Sequence, residues 1–89
     1  MRKMLNKSSE LYMRRSGATA VLVRLERSDI PIPHSKTCRK KLIGYLADIL
    51  SESVDLEENM YIKIDYNNIG LDGEDLNSAI EILKSYEEY

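Results

Sequence analysis

"IPIP", residues 30–33, restricts the fold of this chain more than any other stretch. Pro31 and Pro33 stand at alternate positions, each without a backbone donor and each held near φ of about −65°, so neither a helix nor a sheet interior can run through them. The residues on either side must therefore belong to separate elements joined by an extended loop.

Upstream of that loop, "ATAVLVRLER" (residues 18–27) reads as a strand, with Val21, Val23 and Leu25 on one face and Leu22, Arg24 and Glu26 on the other. Residues 2–15 read as a basic, weakly amphipathic helix or arm with Met4, Leu5, Leu11 and Tyr12 on one side, stopped at Gly17. Downstream, His34 or Ser35 opens a helix that runs to about Ser51, its apolar stripe being Cys38, Leu42, Tyr45, Leu46 and Ile49. "MYIKIDY" is a strand that turns Met60, Ile62, Ile64 and Tyr66 to one face. A very short third strand is expected around Ile69–Leu71. Asp72 then caps a last helix with Glu74 and Asp75 in its first turn and Leu76, Ala79, Ile80 and Leu83 on its buried side. The expected architecture is a two-layer α+β fold, β-α-β-(β)-α, with two helices on one face of a small mixed sheet. Residues 1–17 form a basic extension and residues 18–89 a single domain.

Length and composition agree with one small globular unit: 89 residues, 43% apolar and 31% charged. The chain has six Tyr and neither Trp nor Phe, a choice that favours half-exposed positions and interfaces. No apolar run is long enough for a membrane span, and the basic start lacks the apolar core of a signal peptide. Cys38 is the only cysteine, which excludes an internal disulfide and suits a reducing cytoplasm. Its neighbours Arg39, Lys40 and Lys41 would lower its thiol pKa if exposed, though a structural cysteine is the expected reading.

The net charge of −2 conceals a split: residues 1–45 carry eleven Lys/Arg against three acids, and residues 46–89 two against twelve. A charged partner is one reading of such asymmetry, and attraction between the halves within the fold is another. Lys36, Arg39, Lys40 and Lys41 oppose the dipole of the helix they begin, which either a partner or a neighbouring acidic element would explain.

Signs of catalysis or cofactor binding are few. His34 is the sole histidine, and no second ligand stands at metal spacing. The glycines form no phosphate cradle, and "YNNIGLDGED" lacks the order of a calcium loop. Cys38 with His34 is the one nucleophile–base pair, without an orienting acid or an oxyanion hole. A non-enzymatic protein without cofactor or metal is expected.

Three motifs, in order, resemble the DinI family, small proteins of the bacterial DNA-damage (SOS) response. They are "AVLVRLER" leading through "PIP" into a helix, "MYIKIDYNN", and "GEDLNSAIEILKSYEEY". The likeness spans roughly residues 18–89. It differs in leaving little room for a third strand and in ending with Tyr86 and Tyr89 where the family tends to place Trp. The resemblance implies a non-enzymatic modulator that binds RecA recombinase filaments through an acidic closing helix imitating single-stranded DNA. Carried over, the partner-binding residues would be Asp72, Glu74, Asp75, Glu81, Glu87 and Glu88, with weak or no direct binding to DNA itself.

The basic half supports an alternative, a small phage- or plasmid-type regulatory or nucleic-acid-binding module. Arg14, Arg15, Lys36, Arg39 and Lys40 would be its contacts. A homodimer that pairs basic with acidic halves is a third reading.

Overall fold

The computed structural model describes residues 9–86. Its elements are strand β1 (Glu10–Arg14), helix α1 (Arg15–Arg27), helix α2 (Lys36–Glu52), strand β2 (Tyr61–Asp65), a 3-10 turn (Tyr66–Asn68) and helix α3 (Gly73–Lys84). Among the described residues this is a small α+β fold with three helices and one two-stranded antiparallel sheet.

Pairing follows alternation. "ELYMR" buries Leu11 and Met13 and exposes Glu10 and Tyr12, while "YIKID" buries Ile62 and Ile64 and exposes Tyr61 and Lys63. Leu11 stands opposite Ile64 and Met13 opposite Ile62, so the inner face is apolar throughout. That face meets a single core in which Val21, Leu25, Leu42, Leu46, Ile82 and Leu83 are fully enclosed. Each such side chain contributes about 1.5–3 kcal/mol by leaving water.

Two expectations are corrected at the amino end. Residues 18–27 are helical, and the strand lies earlier, within the stretch read as a basic helix or arm. Gly17, Val21 and Leu25 recur at four-residue spacing and are buried together with Ala18, whereas Val23 is 38% exposed. Helical burial of that stripe prevails over the apparent alternation, and Ala18, Ala20 and Leu22 are good helix formers. The boundary expected at residue 17 falls inside α1, and residues 10–17 contribute Leu11 and Met13 to the core. Residues 1–8 lie outside the described residues. The third strand expected around Ile69–Leu71 is absent among the described residues. Ile69 is buried, but the 3-10 turn before it and Gly70 at φ +85° bend the chain away from extension.

Helices α1 and α2 form an antiparallel pair across the proline loop. At one end the Arg39 guanidinium donates to the Leu25 carbonyl (3.3 Å); at the other Arg15 Nε donates to Ser53 Oγ (3.4 Å). As expected, α2 begins after Ser35, whose hydroxyl accepts from the Cys38 amide (3.0 Å). Its stripe is Cys38, Leu42, Leu46 and Leu50, with Tyr45 and Ile49 partly buried beside it. Helix α3 returns along α1 with its end close by, so a Cβ on Gly17 would meet Tyr86 O at 3.2 Å.

Helix α1 ends in a Schellman motif: Asp29 N–H donates to Arg24 O (2.9 Å) and Ser28 N–H to Leu25 O (3.1 Å). The motif places Ser28 at φ +60°, a left-handed conformation that suits glycine better. Ser28→Gly is therefore expected to stabilise the protein by about 0.5–1 kcal/mol, raising the melting temperature by roughly 2–8 °C. Thermal denaturation followed by circular dichroism measures it, and an unchanged or lower midpoint contradicts it.

Candidate functional site

Helix α3 carries most of the acids expected to bind a partner. Its amphipathic pattern buries Ala79, Ile82 and Leu83 and half-buries Leu76 and Ile80, which leaves the opposite side to solvent. Glu74 and Glu81 are exposed on it, seven residues apart, which at helical rise is about 10 Å. Asp72 is exposed at the cap position, but its side chain makes no capping bond. Among the described residues neither Glu74 nor Glu81 has a side-chain hydrogen bond or ion pair. Glu87 and Glu88 lie outside the described residues.

Asp75 differs from these. It is half-buried and accepts a 2.7 Å hydrogen bond from Ser35 Oγ, the same oxygen that caps α2. One carboxylate thus serves the positive ends of two helices, α3 directly and α2 through the serine. This is the neighbouring acid that the basic start of α2 called for. Asp75 belongs to the framework more than to the free surface.

The structure also divides the basic candidates. Arg14 and Arg15 sit where α1 begins, Arg14 over the Tyr61 ring (5.3 Å to its centre) and Arg15 against Ser53. Lys36, Arg39 and Lys40 sit beyond the other end of α1, 13 residues or about 20 Å away. They do not form one patch. Arg39 is engaged on the α1 carboxyl end; Lys36 and Lys40 are exposed. Arg24 and Arg27, in the last turn of α1, join that corner, and Arg24 lies over the Tyr86 ring (5.8 Å). Reading residues 18–27 as a strand concealed these two, since helical spacing was the signal that would have placed them.

Cys38 is fully buried, and burial first and the Asp75 carboxylate second push its thiol above the ordinary range. The neighbouring cations therefore do not activate it. His34 places Nδ1 2.6 Å from the Ile32 carbonyl, which makes that nitrogen a donor within its own loop. Among the described residues no group of three His, Cys, Asp or Glu could hold a metal ion, and no helix is long and apolar enough to cross a membrane.

The outer face of the sheet did not stand out in the sequence. Tyr12 (57%) and Tyr61 (49%) are exposed there, beside Glu10 and Lys63, which lie 3.9 Å apart. The signal was the tyrosine-only aromatic content.

The fold and surface define a small α+β protein with a carboxylate-bearing outer helix. Compared with known proteins, the chain matches no family model, no curated protein and no solved structure.

The different roles of these acids predict different costs. Ser35→Ala removes a helix cap and the Asp75 partner together and should cost about 1–2 kcal/mol in urea denaturation. Glu74→Gln and Glu81→Gln should stay within about 0.5 kcal/mol of wild type. Equal losses in all three would refute the division of the acids.

The Cys38 thiol predicts an alkaline limb of stability. Its folded pKa is raised above the unfolded one, so its contribution is complete below the unfolded value and is lost as pH rises past it; Tyr45, raised chiefly by burial, acts likewise at higher pH. The melting temperature should decline above pH of about 8.5, and less steeply in Cys38→Ala. Identical slopes would exclude the thiol.

Proposed function

We propose that this chain is a non-enzymatic, cytoplasmic binding module that presents Asp72, Glu74 and Glu81 on the outer face of α3 to a cationic partner. The observation that carries this is the state of Glu74 and Glu81: exposed, and uncommitted to any cation among the described residues. Carboxylates at helical spacing compete for the same Lys and Arg side chains that hold a phosphate backbone. The DinI resemblance names a particular partner, a RecA-type filament on single-stranded DNA, and with it a role in the SOS response. Two of its three motifs fall on β2 and α3, and the last of them carries this surface. The first falls on α1, a helix where the family has a strand. The likeness therefore bears on the partner more than on the fold.

The test is capture of RecA-type filaments, assembled on single-stranded DNA, by the immobilised full chain. Wild type should retain them. A variant combining Asp72→Asn, Glu74→Gln and Glu81→Gln should lose retention while melting as wild type does, since Asp75 is left in place. Undiminished capture by that variant would end the mimicry reading. Retention of naked DNA at physiological salt, abolished by Lys36→Ala with Lys40→Ala, would favour the nucleic-acid alternative instead.

A further inference from the structure

Folding leaves six large apolar or aromatic side chains exposed among the described residues, and four of them, Val54, Leu56, Met60 and Tyr61, lie within eight consecutive positions. Single exposed apolar residues are ordinary on a protein surface and need no account; several gathered on one segment do. The segment is the loop that joins α2 to β2. Its residues 51–60, "SESVDLEENM", set four acids among these side chains and no Lys or Arg.

The loop is held by its own backbone. Leu56 N–H donates to Ser53 O and Met60 N–H to Glu57 O (both 3.0 Å), which closes two adjoining turns, each under about 7 Å across. Its carbonyls then cap α1, a helix without a side-chain cap: Met60 O accepts from Arg15 N–H (2.8 Å) and Glu58 O from Ser16 N–H (2.9 Å). The fold thus uses the backbone of the loop and leaves its side chains out. Val54 is 66% exposed and Met60 45%, and among the described residues Asp55, Glu57 and Glu58 have no side-chain hydrogen bond or ion pair. Glu58 sits at the positive end of α1 and is favoured there without a partner. Val54, Leu56 and Met60 have no such use.

We infer that this loop docks a cationic amphipathic segment of a partner protein, with Val54, Leu56 and Met60 under its apolar face and Asp55, Glu57 and Glu58 against its Lys and Arg side chains. Charge complementarity selects the class. Carboxylates with no compensating cation in the loop repel a phosphate backbone and an anionic lipid surface alike. A neutral apolar partner would leave them desolvated and unpaired at the contact. Only a segment that brings both apolar anchors and positive charge satisfies both kinds of side chain. Two turns fixed before binding need little further ordering, so little entropy is lost on the loop side. The surface lies on a different element from the acids of α3 and does not depend on what that helix binds.

Titration of the isotope-labelled full chain with a synthetic helical peptide, leucine on one face and lysine on the other, tests this through amide chemical shifts. The largest shifts should fall on residues 54–60. Val54→Ser with Met60→Ser should weaken binding roughly tenfold or more, and so should a peptide with serine in place of leucine. Asp55→Asn with Glu57→Gln should weaken binding and flatten its dependence on salt. A variant combining Asp72→Asn, Glu74→Gln and Glu81→Gln should bind the peptide as wild type does, which separates this surface from α3. Should the apolar double variant fail to fold, wild type alone decides through its shifts and the serine peptide. Shifts confined to α3, equal binding of the two peptides, or undiminished binding by the folded apolar variant overturns the proposal. So do loop amides that shift with protein concentration alone, which would assign the surface to a second copy.

Discussion

Antiparallel pairing of Glu10–Arg14 with Tyr61–Asp65 is the contact on which the rest of this fold depends. It joins two segments separated in sequence by the whole of α1 and α2, and it pairs the only two strands among the described residues. Every inward side chain of the pair is apolar, so a one-residue slip of either strand would turn its own pair, Leu11 and Met13 or Ile62 and Ile64, to water. The register also sets the helices. Arg14 ends the strand and Arg15 starts α1 without a connecting loop, so the direction of β1 fixes where α1 leaves the sheet. Helix α2 must then return antiparallel to α1, and its Tyr45 hydroxyl reaches β2 at Asp65.

Within that frame the charge asymmetry of the chain is partly internal. Arg24, Arg27 and Arg39 gather at the carboxyl end of α1, where the last carbonyls favour cations. Asp75 supplies the amino end of α2 with the negative charge that its own first turn lacks. These groups satisfy helix ends and explain much of the contrast between the halves without a partner. Within α3, Glu74 and Glu81 stand apart from Asp75: their position on the solvent side assists no second element.

How much of this was legible depended on how far a local pattern outweighed its competitors. Helix α2 was readable because Ser35 caps it and its stripe persists through Leu50. Strand β2 was readable because Ile62 and Ile64 alternate cleanly with polar residues. Residues 15–27 supported two periods at once: Val21, Val23 and Leu25 alternate, while Gly17, Val21 and Leu25 are helical. The buried small residues Gly17 and Ala18 decide for the helix: a Cβ on Gly17 would crowd Tyr86 O, beyond the end of α3, and the Met13 side chain, a tertiary fact with no local signal. Strand β1, five residues between basic neighbours, had too short an alternation to outweigh that setting. On the candidate surface, Glu74 and Glu81 were located correctly by helical spacing. The separate role of Asp75 was hidden because its partner Ser35 lies 40 residues away.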